Sequence, residues 1–151
     1  MEDEDMSRSV LVPVDGSPLS LYALRHALRA FPDAAVTVYH VVDLFEPDYS
    51  TDVESGYEPM IGSEAWYRTV DDATDQLFAE VDEVAADYDR SVTTESDIGE
   101  PARLILEYVT DEAIDHVVLG SHGRLAANRS LFGSVAETVV RRAPVPVTVV
   151  R

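Results

Sequence analysis

Cysteine and lysine are both missing from this 151-residue chain. Without cysteine there is no disulfide, no thiol nucleophile and no thiolate-held zinc. Without lysine there is no G-x-x-x-x-G-K-[ST] phosphate loop, because the cation that reaches the terminal phosphates is gone. No G-x-G-x-x-G is present, which argues against a dinucleotide fingerprint, and no G-x-S-x-G, so no hydrolase elbow is signalled. The four histidines (His26, His40, His116, His122) lack the H-x-x-x-H spacing of a helical zinc site. Long apolar runs are absent as well, and none nears the ~20 residues of a membrane span. The first residues, MEDEDMSRSV, are acidic and have no apolar stretch, unlike a secretory signal. The expectation is a cytoplasmic protein with no membrane partner.

Acid, by contrast, is abundant. Asp plus Glu number 29 against 11 basic residues, all arginine, for a net charge of -18. Such a surface repels nucleic acid and anionic lipid. The acids are dispersed among apolar residues, which make up 46% of the chain, so the composition is globular and not that of a disordered acidic tract. A dense acidic surface without lysine looks like that of proteins from salt-accumulating halophiles.

The order of elements follows from periodicity. Apolar, β-branched runs occur at 9–14, 35–42, 90–96, 116–120 and 145–150, with helix-period segments between them. Ser17 is placed to cap a first helix with Pro18 at its first position, and Leu21, Leu24, Leu28 and Phe31 share one side. A second helix runs from Ser63 to Tyr88, with Trp66 packed and Tyr67 at the rim. A third starts at Pro101 with Leu104, Ile105 and Tyr108 inward. The fourth follows Gly133, with Val135, Val139 and Val140 as its apolar side and Arg141 and Arg142 at its negative end. Strict β-α alternation predicts a single α/β domain at 8–151, a doubly wound parallel five-stranded sheet with helices on both faces. Residues 1–7 are expected to be a disordered acidic tail. Pro13 fits a first strand that stops pairing there, and Asp15-Gly16 then turns the chain away. The long stretch 43–62 is a surface loop or a lid over the strand ends.

The chemistry concentrates in GSHGRLAANRSLFGS, Gly120 to Ser134. Gly120 ends a strand and Gly133-Ser134 start a helix. The first-turn amides of Ser134, Val135 and Ala136, with the Ser134 hydroxyl, form an anion site of the kind phosphate fills. Ser121 and His122 make a poor nucleophile–base pair, since neighbours on a turn do not aim at each other and no third group orients them. Arg124 and Arg129 either neutralise phosphate or are solvated. Asp15 is either a ligand contact or ordinary Asp-Gly-Ser-Pro turn chemistry.

Gly120, Gly123, Gly133 and Ser134 follow a G-2x-G-9x-G-(S/T) spacing. Together with VLVPVDGSPLS near the start and GSVAETVVRRAPVPVTVV at the end, they make the chain resemble the universal stress protein (UspA-like) family over residues 8 to 151. The resemblance implies strand order 3-2-1-4-5, an adenine-nucleotide alpha-hydrolase-like fold and a homodimer. Members with this glycine pattern are similar to known ATP binders. Carried over, Asp15 would meet the adenosine part beside Pro13, Val41 would line the base pocket, and Leu119 and Gly120 would flank the nucleoside. Gly123, Gly133, Ser134 and Val135 would hold the phosphates, with His122 and Arg124 nearby. Ala136 stands where some ATP-binding relatives have threonine, which leaves its amide and removes a hydroxyl. In this strand order Asp15 and Gly120 end neighbouring strands and face one crevice.

The expected ligand is therefore ATP, or AMP or ADP, with Mg²⁺ as an optional companion. The expected role is regulatory, with no enzyme activity beyond slow hydrolysis. A nucleotide-independent scaffold and a slow Mg-dependent ATPase are the alternatives. The last strand, 145–151, would be an apolar sheet edge that either pairs with its twin in a second copy or is covered by the N-terminal tail. At 1 M salt the Debye length is about 3 Å, so self-repulsion of the -18 charge is screened there and not in dilute buffer. The melting temperature is accordingly expected to rise between dilute and molar salt. A melting curve unchanged across that range would contradict the halophilic reading.

Overall fold

The computed structural model describes residues 8–43, 61–122 and 133–151. The acidic start, residues 44–60 of the long stretch, and Gly123, Arg124 and Arg129 lie outside the described residues.

Five strands and four helices alternate: β1 (Ser9–Pro13), α1 (Pro18–Ala30), β2 (Ala35–Val42), α2 (Glu64–Ala86), β3 (Thr93–Ile98), α3 (Pro101–Asp111), β4 (His116–Gly120), α4 (Ser134–Arg142) and β5 (Val147–Val150). All pairings are parallel, in the order β3-β2-β1-β4-β5. The helix starts obey local chemistry. The Ser17 hydroxyl accepts from Ser20 N–H with Pro18 opening α1, the Ser63 hydroxyl accepts from Trp66 N–H, and Pro101 opens α3. No helix among the described residues is long and apolar enough to cross a membrane.

The pleat sorts the strands into two cores. Even-numbered residues Val10, Val12, Val14, Val36, Val38 and Val118 pack with Leu24 and Leu28 of α1 and Leu77 and Val81 of α2. Odd-numbered Leu11, Tyr39, Val117 and Leu119 pack with Ile105 and Val109 of α3 and Ala136 and Val139 of α4. Both faces of the three central strands are thus covered, as a parallel sheet requires.

Three expectations are corrected. The third strand is Thr93–Ile98, not 90–96. Asp89 takes a left-handed φ of 56°, and Arg90 N–H bonds back to Ala85 C=O at 3.0 Å, so residue 90 belongs to the wrap that ends α2. Its guanidinium then reaches Leu28 C=O at 2.9 Å and Ala34 C=O at 2.8 Å, placing a cation on the negative end of α1. Val140 is 44% exposed, and Ala136 takes its place on the buried side of α4. β5 begins at Val147, because Val145 and Pro146 serve as its approach, with Pro146 C=O accepting from Val117 N–H at 3.1 Å.

His116 opens β4 and ties it to the edge strand, its Nε2 lying 2.7 Å from Thr148 Oγ1 and its ring 4.8 Å from that of Phe31. Burial first, then the charges of Arg8 and His26, hold this imidazole below its ordinary value. A lowered folded-state value means a contribution present above the unfolded value of 6.5 and lost as pH falls through the folded one. The wild type is expected to lose stability relative to His116→Gln as pH drops below 6.5 in paired denaturation curves. Parallel curves would show that His116 does not carry the proton linkage.

Candidate functional site

β1 begins between two partners and ends with one. Its pairing with β2 runs to Pro13↔Tyr39, and Val14 N–H still bonds Tyr39 C=O at 2.9 Å. Its pairing with β4 covers only Val10↔His116 and Leu11↔Val117. Val14 N–H points to β2, so the nitrogen of Pro13, one residue earlier, points to β4. The position that lacks a donor is the one where the two strands part. Pro13 therefore stays in the sheet through β2 while a crevice opens on its β4 side. This is the topological switch point, where open α/β sheets bind ligands at strand C-termini.

The turn that follows is held from within. Ser17 N–H donates to Asp15 Oδ1 at 2.9 Å, Asp15 N–H reaches Ser20 Oγ at 3.3 Å, and Ser20 Oγ donates to Ser17 C=O at 2.9 Å. Gly16, with φ of 84°, makes the bend. The Asp-Gly-Ser-Pro chemistry is thus real, and it fixes where the Asp15 carboxylate stands at the crevice mouth.

On the other side, Ser121 is buried and doubly tied: its N–H donates to Val150 C=O at 2.8 Å and its C=O accepts from Gly133 N–H at 2.6 Å. The second bond brings the start of α4 to the end of β4. Gly133 caps α4 without a side-chain bond, and the first α4 amide with an acceptor among the described residues is that of Glu137, on Gly133 C=O at 2.9 Å. The N–H groups of Ser134, Val135 and Ala136 are the first-turn donors without an acceptor among the described residues, with the positive end of the dipole behind them. Gly133 has an ordinary φ of -75°, so space is what demands glycine. A Cβ there would lie 3.3 Å from His122 Cα.

Pro13, Asp15, Val41, Leu119, Gly120, His122, Gly133, Ser134, Val135 and Ala136 all lie at the C-terminal edge of β1, β2 and β4 or at the α4 start tied to it. Gly123 and Arg124 fall outside the described residues. Pro13, Val41 and Leu119 share the sheet face that α3 and α4 cover, by the odd-numbered alternation. Leu119 itself is buried, so its side chain belongs to the core beneath the crevice. Gly120 has a packing reason as well: its missing Cβ would meet Leu19 Cγ of α1 at 3.1 Å. No hydrogen bond joins Ser121 to His122 among the described residues. No group of three His, Asp or Glu residues among them is arranged to hold a metal ion.

The model of the universal stress protein family matches residues 6–151. The chain belongs to the universal stress protein family. It is 31% identical over 150 residues to the universal stress protein MJ0531 of Methanocaldococcus jannaschii, covering 98% of this chain and 84% of that protein. Among solved structures it superposes on UspA of Lactobacillus plantarum with a TM-score of 0.74 and 30% identity, over 95% of this chain and 97% of that one. More distant relatives share the fold. One was solved in complex with cAMP (TM-score 0.56, 24% identity, 95% of this chain and 97% of that one). Another, from Arabidopsis thaliana, was solved with AMP bound (TM-score 0.59, 16% identity, 94% and 90%). The five-stranded sheet in the order 3-2-1-4-5 is the adenine-nucleotide alpha-hydrolase-like fold of these neighbours.

Tyr39 and its partner Asp97, which the sequence did not single out, lie on neighbouring strands β2 and β3, Tyr39 beside the crevice floor. Tyr39, level with Pro13 and on the same face, donates its hydroxyl to Asp97 Oδ2 at 2.7 Å and has its ring 4.7 Å from that of Tyr108. The partners are 58 residues apart, so no local pattern announces them. Burial first, then the Asp97 carboxylate, pushes the Tyr39 phenol well above its ordinary value. Burial, with Glu95 and Glu112, raises that of Tyr108. A raised folded-state value means stabilisation that is complete below the unfolded value of 10.0 and lost as pH climbs through the folded one. Tyr39→Phe is expected to cost about 1 kcal/mol at neutral pH. In urea titrations that deficit should narrow above pH 10.0. A deficit constant with pH would show that Tyr39 does not carry the linkage.

Proposed function

We propose that this member of the family binds ATP, or the related AMP or ADP, in the crevice between the ends of β1 and β4, as a regulatory protein of the stress response. The observation that carries the reading is the parting of β1 and β4 beside a helix start whose three amides have no acceptor among the described residues. A fixed carboxylate at Asp15 suits adenosine hydroxyls or amine, and the α4 amides with the Ser134 hydroxyl suit phosphate. The ends of β2 and β4 at Val41 and Gly120 bound the space for the nucleoside. The cAMP and AMP held by the two distant relatives are of the same ligand class. With no three-residue metal cluster among the described residues, Mg²⁺ would arrive with the phosphates and not from a protein cage.

The same reading makes the protein a binder and at most a slow hydrolase. Ser121 is enclosed between β5 and Gly133, and no described group orients His122 as a base. Turnover near ~1 s⁻¹ or faster would favour an enzyme instead. The proposal places the protein in the cytoplasm, in a salt-rich cell interior matched to the -18 charge. It includes a homodimer through the 145–151 edge, where β5 pairs only with β4 among the described strands.

The test is Ser134→Pro. A proline at the first helical position keeps the helix start, and Gly133, with ψ of 169°, already has the extended backbone that precedes proline. The substitution removes one amide and one hydroxyl from the phosphate nest. Titration calorimetry in molar salt should show ATP affinity down by about tenfold or more, with adenosine affinity and melting temperature unchanged. Glycine substitution at 133 is a poorer probe, since a side chain would press on the His122 backbone. Wild-type protein that binds no adenine nucleotide would favour the scaffold reading.

A further inference from the structure

His40 is an anomaly in the larger core. It lies in β2 between Val38 and Val42, on the α1/α2 face, is 1% exposed, and is one of the largest fully buried side chains of the chain. An imidazole in such a place needs a reason, and its Nδ1 has one: it lies 2.9 Å from the carbonyl oxygen of Val14. A carbonyl only accepts, so Nδ1 carries the proton and donates it.

That bond falls where β1 leaves the sheet. Val14 N–H is already bonded to Tyr39 C=O, as in a regular parallel ladder. The next rung of such a ladder would run from Val41 N–H to Val14 C=O. That rung is not among the backbone bonds of the described residues, and the β1–β2 register ends at Pro13↔Tyr39. The His40 side chain bonds this carbonyl instead. The ladder stops one rung early with Val14 still satisfied, and Val41 N–H faces the side on which Tyr39 C=O met β1. Val14 is held by β2 at both backbone groups, and Asp15 follows it directly.

We propose that His40 is a positioning residue for the nucleotide crevice: from the opposite face of the sheet it ends the β1–β2 ladder at Val14, which orients Asp15 and keeps the Val41 N–H out of the sheet and turned to the ligand. This deepens the adenine-nucleotide reading and rests on it. His40 touches no ligand, and its effect passes through Val14 and Val41. Its action falls on the nucleoside end, remote from the α4 amides, so adenosine, AMP and ATP should feel it equally.

The experiment compares His40→Leu, His40→Asn and His40→Gln as full-length protein in molar salt. Asn carries its amide nitrogen at the place of Nδ1, and Gln carries it one bond further on. Affinities for adenosine, AMP and ATP are measured by calorimetry, and exchange of the Val41 amide by NMR without ligand. The expected result is an affinity loss of about tenfold for all three ligands in His40→Leu. Val41 exchange should slow as the missing rung forms, and Asn should restore both values while Gln does not. If His40→Leu does not fold, the Asn–Gln contrast decides alone. Equal affinities and equal Val41 exchange across the folded variants would overturn the inference. If the wild type binds none of the three ligands, the nucleotide reading fails, and Val41 exchange still shows whether His40 ends the ladder.

Discussion

The early separation of β1 from β4 is the constraint on which the rest of the structure turns. A central parallel strand saturates its backbone on both sides, and leaving that arrangement exposes polar groups at a cost. Here the departure is staged. Pro13 has no donor to lose on the β4 side, while Val14 keeps its bond to Tyr39 on the other. The crevice therefore opens without stranding an amide of β1, and each neighbouring feature serves its shape. Asp15, Ser17 and Ser20 lock the exit of β1, and Gly120 lets Leu19 of α1 close in beneath the end of β4. Ser121 joins β5 and the start of α4 to the opposite wall.

The electrostatics of this wall run against those of the whole molecule. The chain carries -18, yet the described end of α4 presents three donor amides and the positive end of a helix dipole. A local amide field acts over a few ångströms, whereas net charge acts over a Debye length. High salt suppresses the second and spares the first. A strongly acidic protein can thus hold an anion at one point of its surface in a medium that would weaken a site built from exposed arginines. The described ion pairs, such as Arg103 with Glu107 and Arg141 with Glu137, are exposed and contribute little to the fold.

The parts of the fold that could be read from the chain are those whose causes are local. Ser17-Pro18, Ser63 and Pro101 begin helices through neighbours within one turn, and each helix begins where those residues stand. The alternation that set the parallel sheet is likewise a property of short windows. What escaped has partners far away in sequence. Arg90 reads as the first residue of a strand until its guanidinium is seen on the carbonyls of Leu28 in α1 and of Ala34 before β2, which draws residue 90 into the end of α2. Val140 continues an apolar pattern, but Ala136 is the residue that fits the close approach of α4 to the sheet. Of the site, the strand ends and the α4 start were legible from glycine and proline spacing. The Tyr39–Asp97 bond and the His40–Val14 bond join separate strands and leave no mark in either segment.

Trp66 has a further consequence. It is the sole tryptophan, 1% exposed, packed on Val42 at the last residue of β2 and on Val70, with its ring 5.0 Å from that of Tyr67. Its Nε1–H is buried with no partner among the described residues. An indole kept from water and from hydrogen bonds emits at short wavelength, and any acceptor or water that reaches it shifts the emission to the red. The chain therefore carries one native indole at the end of the strand that borders the crevice, and no labelling is needed to follow that edge of the sheet by light.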